Sequence, residues 1–582
     1  MEGRSWVRTT CVLGAFAVTF VALTVGSYTQ ESATVDEPQH LTAGYTALRF
    51  HDYRIDPEHP PVLRMWAALP LLAMNDVHID TNCLAWSVAN QWTFSHSFLY
   101  ELNDADRLLY RARFMTVLLG VLLGVLVFSW ARELFGFWTA AAVLALYCVE
   151  PNIVAHASLV TTDFGLTCFW FGTVYFLWRT TRKLSVGNFI GTAVFFSLAQ
   201  VSKFSALILG PIVLALLVIH LLLADPWPCP LARSGELRSR SSKLLAVLAL
   251  VAGLTLTSYA MIWAVYDFQY GPIVPNTDIQ MIRNNPQFLR NAPMISRVAG
   301  WLDKQELVPD AYAQSLILGQ IKARHRTAYL AGQFSRTGWW YYFPVAFVVK
   351  TPLIVLLLLI GGLALLVQQR ARWKMDGVFL VLPPAIFFGI AMTAHLNIGL
   401  RHILPIYPSV LLIAGVTLHT ISAKWRAPAL LVPVALASLE LATVYPHCLA
   451  FFNQGVGGPN KGHWILLDSN IDWGQDLKPL KKWMNEHHVN EINLSYFGTA
   501  DPSYYGIRWA RLPGIFDNSK PTIARLRFPG YVAVSVQNLH GVPRDAPATF
   551  YQPLLQREPV DVIGHSIQVY WMETNWWYNP RS

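Results

Sequence analysis

Long apolar runs separated by short basic clusters dominate this chain and leave it few ways to fold. A helix crossing the hydrocarbon core of a bilayer needs about 20 mostly apolar residues. Runs of roughly that kind begin at Thr10–Tyr28, behind Arg4 and Arg8, and recur near 114–131, 137–152, 163–178, 188–201, 204–223, 244–265, 344–367, 377–393, 403–421 and 427–445. The chain is 54% hydrophobic and only 14% charged over 582 residues, against about 25% charged in a typical soluble domain. Its formal charge of +9 lies between the apolar runs, which points to a membrane surface and gives no sign of nucleic acid. The six cysteines are scattered and show no CxxC spacing, so neither a disulfide framework nor a cysteine metal site is expected. The fold class is therefore mainly α: a polytopic bundle of about eleven transmembrane helices.

The loops orient the bundle. With a cytoplasmic N-terminus, the short cytoplasmic connections are Arg132–Gly136, Arg179–Lys183, Arg233–Lys243, Arg370–Lys374 and Lys424–Arg426, and each carries Arg or Lys. That is the pattern of positive-inside topology. Residues 29–113, 266–343 and everything after 446 then lie outside. The expected division is a membrane domain over 1–445, with external loops 29–113 and 266–343, followed by an extracytoplasmic α/β domain over 446–582. In that tail, Ile492–Phe497 and Tyr531–Val536 read as strands and Asp476–His488 as a helix. No internal repeat is visible, which weighs against an inverted-repeat transporter.

Ionisable residues beside membrane helices are costly and are usually paired or functional. Here they gather on the extracytoplasmic face, although none was used to derive that topology. Asp36 and Glu37 follow the first run, and Asp163 opens the fourth. Lys203 precedes the sixth, Lys350 lies just inside the eighth, and His395, Asn397, Arg401 and His402 fall between the ninth and tenth. Each alone has a bland reading as a helix cap or an interfacial side chain. Together they offer acids and bases on one face. In the first external loop, His59 and Arg64 flank prolines and precede a short apolar segment that suits an interfacial helix. Trp339–Phe343 reads as an interfacial aromatic belt or as a wall for sugar or prenyl groups. Asp468–Gly474 starts like a calcium loop but has Trp473 where Gly is required and Pro479 where Glu is required. No Walker sequence, HExxH or GxSxG occurs.

A site outside the membrane can draw its substrate from the bilayer, as a prenyl chain with a phosphate head. Basic residues neutralise a phosphate leaving group, and a carboxylate accepts the proton of an attacking hydroxyl. The residues Thr34-Val35-Asp36-Glu37-Pro38, His59-Pro60-Pro61-Val62-Leu63, Thr161-Thr162-Asp163, Ser202-Lys203-Phe204, Lys350-Thr351-Pro352 and Asn397 to Pro405 resemble the GT-C glycosyltransferases. The likeness is to bacterial relatives of the dolichyl-phosphate-mannose protein mannosyltransferases, whose membrane core is similar to that of the aminoarabinose transferases. It covers roughly residues 1–450, and Asp468–Leu477 looks characteristic of one bacterial subgroup. The resemblance implies an inverting hexosyl- or mannosyltransferase of the cell envelope, in the cytoplasmic (inner) membrane. It would move a sugar from a polyprenyl-phosphate carrier to a protein, lipid or polysaccharide hydroxyl. It implies Asp36 as general base, Glu37 as its neighbour in acceptor binding or loop orientation, and Asp163 as a supporting acid. Lys203, Arg401 and His402 would bind the carrier phosphate, with His59, Arg64 and Lys350 behind them. No metal and no other cofactor is expected. The competing readings are a polyprenyl-diphosphate-dependent ligase or polymerase, a lipid-linked sugar transporter or flippase, and a non-catalytic membrane scaffold or receptor whose tail does the binding.

Overall fold

A computed structural model of the chain describes residues 2–223, 226–271, 294–323, 326–516, 520–541, 547 and 549–576, with side chains not described at 2–5 and 422–427. Among the described residues, six helices are long and apolar enough to cross a membrane: Trp6–Tyr28, Ala105–Phe135, Phe204–Leu223, Arg240–Val265, Arg370–Met392 and Leu400–Ile421. The protein is a multi-pass membrane protein, but the expected eleven spans are not reached. Two of the expected runs are bent: Phe137–Cys148 meets Pro151–Ala157 at 63°, and Tyr342–Lys350 meets Leu353–Gln368 at 116°. Counting each bent pair as one span raises the total to eight. Proline explains where both break, since Pro151 and Pro352 lack the N–H that would continue the preceding helix. Val186–Gln200 and Pro428–Ala442 are helical but short. The expected cytoplasmic loop at 424–426 is not a break: the backbone is helical from Tyr407 to Ala442. Part of the second external loop, 272–293 and 324–325, lies outside the described residues.

Connections expected on one side do meet at one end. Arg182 pairs with Asp376 at 2.8 Å, and Trp178 Nε1 donates to the same carboxylate. The Tyr175 hydroxyl donates to Glu133 at 2.6 Å, and Phe135 packs edge-on against Trp373. At the other end, the first external loop folds into the helix Glu37–Phe50, the helix Val62–Ala68 and the turn Leu69–Ala73. Leu69 and Leu72 stay exposed there, as an interfacial element requires. The two helices approach closely at Gly44, where an added Cβ would lie 2.0 Å from the Arg64 carbonyl oxygen. Backbone cannot yield as a side-chain tip can. Gly44→Ala is therefore expected to destabilise the fold by about 1–3 kcal/mol, read as a lowered thermal midpoint in detergent.

The C-terminal part is α/β, as expected. The strands Ile492–Ser495 and Gly530–Ser535 and the helix Leu477–Glu486 fall close to the segments read from sequence. They belong to a five-stranded mixed sheet in the order Trp509–Arg511, Ile492–Ser495, Gly530–Ser535, Ile567–Met572, Asp561–Ile563. This sheet does not stand apart from the membrane part. Leu477, Leu480, Trp483 and Leu494 share one apolar core with Leu41, Tyr45, Phe98 and Leu109 of the first external loop and the helix after it.

Candidate active site

Four charged side chains from four segments form a chain across the end of the bundle that carries the helices Glu37–Phe50 and Val62–Ala68. Asp36 occupies the N-cap position of Glu37–Phe50 but makes no capping bond, so its carboxylate is free to face Arg401, whose Nη1 is 3.1 Å from Oδ2. The same Nη1 lies 3.5 Å from Asp163. Asp163, in the first turn of Thr162–Arg182 where the helix dipole favours an anion, also meets Lys203 Nζ at 2.5 Å. Lys203 stands on extended backbone after Val186–Gln200, and Arg401 lies in the 3-10 turn Leu400–Ile406. Asp36 is 29% exposed against 3% for Asp163, which makes Asp36 the acid open to an incoming group.

Two histidines sit beside this chain with buried ring nitrogens that have no partner, Nδ1 of His59 and Nε2 of His402. Burial, reinforced by Lys203, holds His59 well below the ordinary histidine value, so it is neutral near pH 7 and offers a single N–H. The structure thus places His59, expected only behind the first group, beside Lys203, Arg401 and His402.

Three other expected site residues lie off this chain. Glu37 is completely buried against Arg113 at 2.6 Å. It also accepts from Thr34 N at 2.8 Å and Val160 N at 2.9 Å, which ties the Asp36 loop to the turn leading into Asp163. Arg64 pairs with Asp56 at 2.8 Å and donates to the His59 carbonyl. Lys350 donates to the Leu449 carbonyl at 3.0 Å and to that of Asn470, with its ammonium 4.6 Å over the Phe452 ring. Both cations are already engaged in holding loops. His395 and Asn397 pin the end of the second long loop: His395 Nδ1 donates to the Thr337 carbonyl at 2.6 Å, and Asn397 Oδ1 accepts from Trp339 N at 2.7 Å. Of the aromatic run, Trp340 and Tyr341 face outward, while Tyr342 and Phe343 are core.

Sequence reasoning missed the tail. Ser469 Oγ accepts from Arg401 Nε at 3.1 Å, and the Trp473 ring lies 4.1 Å under the guanidinium. The Trp473 carbonyl accepts from Val35 N at 2.9 Å, and that of Gln475 accepts from Ser32 N at 2.8 Å. Asn470 Oδ1 caps Leu400 N at 3.0 Å. The segment 469–475 therefore clamps Arg401 from one side and the approach to Asp36 from the other. Its density of Asp, Ser, Asn and Gln was visible in the sequence, but nothing local said what it would bind. Also missed was a pair behind Asp36, in which His40 Nδ1 lies 2.6 Å from Asp56.

That pair makes stability depend on pH. Burial alone would raise Asp56, but Arg64 and then His40 hold it well below the usual carboxylate range. Burial alone would lower His40, but the charge and hydrogen bond of Asp56, with Asp36 behind, raise it above its ordinary value. The depressed acid contributes above its unfolded value of about 4 and is lost as pH falls through its folded value. The raised base contributes below about 6.5 and is lost as pH rises through its folded value. Thermal stability is expected to plateau between those limits, and His40→Asn should flatten the alkaline side.

Residues 105–263 match the family model for dolichyl-phosphate-mannose-protein mannosyltransferase. That mannosyltransferase-like stretch contains Arg113, Asp163 and Lys203, while Asp36 and Arg401 flank it. No curated protein matches the sequence. Among solved structures, ArnT from Cupriavidus metallidurans bound to undecaprenyl phosphate is similar with 13% identity and a TM-score of 0.46, covering 96% of this chain and 98% of that one. The Archaeoglobus fulgidus oligosaccharyltransferase has 15% identity and a TM-score of 0.40 over 75% of this chain and 52% of its own. The Saccharomyces cerevisiae Pmt1–Pmt2 complex has 15% identity and a TM-score of 0.33 over 45% and 33%. Among the described residues, no three His, Cys, Asp or Glu side chains are grouped to hold a metal ion.

Proposed function

We propose that this protein is a membrane-embedded inverting glycosyltransferase. It would transfer a sugar from a polyprenyl-phosphate carrier to an acceptor hydroxyl at the extracytoplasmic face, with the N-terminus cytoplasmic and residues 446–582 outside. The observation that carries the reading is the Asp36–Arg401–Asp163–Lys203 chain, flanked by the unpartnered nitrogens of His59 and His402. It offers one accessible carboxylate beside a set of donors suited to an anion.

In this reading Asp36 accepts the proton of the acceptor hydroxyl as its oxygen attacks the anomeric carbon. The bond from that carbon to the phosphate oxygen breaks on the opposite side, and polyprenyl phosphate leaves with an added negative charge. Lys203 and Arg401 neutralise that charge, and His59 and His402 donate hydrogen bonds to it. Asp163 keeps the two cations in place. No metal is part of the proposal. Glu37 serves through position, by tying the two acid-bearing segments together, and Arg64 and Lys350 hold loops.

The test uses purified full-length protein in liposomes with a panel of labelled polyprenyl-phosphate sugars and membrane extract as acceptor source. Release of polyprenyl phosphate from one donor supports the reading. Folded protein that releases it from none overturns the reading in favour of a diphosphate donor or transport.

A further inference from the structure

Asp468 directly precedes the tail segment 469–475 that clamps Arg401, and its backbone is left-handed, with φ 58°. Asp and Asn tolerate that region best among residues with a Cβ, yet it remains uncommon and is found where a site constrains the chain. One carboxylate oxygen, Oδ1, accepts from Ser469 N at 2.6 Å. The backbone N–H of Asp468 donates to Gln537 Oε1 at 2.8 Å, which fixes the Gln537 amide and leaves its Nε2 as the remaining group. Among the described residues, Asp468 Oδ2 and Gln537 Nε2 have no hydrogen-bond partner.

Both residues line one small recess, closed by Asn397 and by the rings of Tyr329, Phe334 and Tyr342. It has room for one water-sized group. The Asp468 acceptor and the Gln537 donor, with the Thr327 hydroxyl also in the lining, match a hydroxyl, which donates to the first and accepts from the second. Aromatic walls suit the C–H faces beside it. Through Ser469, which accepts from Arg401 Nε, the recess adjoins the cation of the proposed reaction.

Resting on the glycosyltransferase reading above, we propose that Asp468 and Gln537 recognise one hydroxyl of the donor sugar and so set which sugar is transferred. This makes the tail a specificity element. Asp468→Asn preserves the side-chain volume, the tolerance of positive φ and an oxygen for Ser469 N, but turns the second oxygen into a donor. Gln537→Glu keeps the oxygen that caps Asp468 N and removes the amide donor.

The experiment compares kcat/KM for polyprenyl-phosphate hexoses and their monodeoxy analogues, in wild type and both variants, with thermal unfolding as the folding control. A charged hydrogen bond of this kind is worth roughly 10- to 150-fold. The wild type is expected to discriminate by that factor against one deoxy donor. Both variants are expected to lose activity on the parent sugar and to accept that deoxy donor nearly as well. Discrimination unchanged in folded variants, or loss of activity equal on every donor, overturns the subsite. Failure of wild type on every polyprenyl-phosphate sugar would instead overturn the reaction class, so the two failures are distinguishable.

Discussion

Asp36→Asn is expected to lower turnover by roughly 10²–10⁴-fold, the usual contribution of a positioned general base. The amide fills the same volume, and Asp36 makes no capping bond that the substitution would break. Lys203 and Asp163 keep their contact at 2.5 Å, so KM for the donor should change little while kcat falls. Release of polyprenyl phosphate in liposomes measures both. Near-normal release from the variant would move the base to Asp163, at 3% exposure the less accessible of the two acids.

Arg113→Ala is expected to be the most damaging change to the fold, by about 3–5 kcal/mol. Arg113 and Glu37 are both 0% exposed. The guanidinium also donates to the carbonyls of Tyr28 and Ser32 at 2.8 Å each. Removing it leaves a buried carboxylate without its counter-charge, still bonded to Thr34 and Val160, and two buried carbonyls without this donor. A paired Arg113→Met, Glu37→Leu variant should recover part of that loss, because no isolated charge remains. Thermal unfolding in detergent reads both. An unchanged midpoint in Arg113→Ala would show that water or rearrangement replaces the pair. Activity is expected to fall with stability, since this pair holds the Asp36 loop against Val160.

Much of the architecture was legible because it follows from local chemistry. Apolar length requires membrane helices, and alternation marked the tail strands. The span count was less legible. Hydropathy measures how apolar a window is, whereas Pro151 and Pro352 bend the backbone without lowering it. The helical backbone across 424–426 shows the converse, since a basic cluster does not have to interrupt a helix.

The sequence by itself determined that the chain crosses a membrane several times and that Asp36, Asp163, Lys203, Arg401 and His402 belong to one end. Composition and loop charge act over a few residues at a time, and no folded structure is needed to read them. Only the tertiary structure decided which of those charges face one another. Lys203 and Arg401 converge on Asp163, while Lys350 and Arg64, of the same residue types, are taken up by carbonyls and by Asp56. Nor did the sequence show that residues 468–475, more than 400 positions beyond Asp36, complete the site. Hydrogen bonds and ion pairs depend on separation in space to within a fraction of an ångström, and that separation is fixed only when the helices and the tail pack.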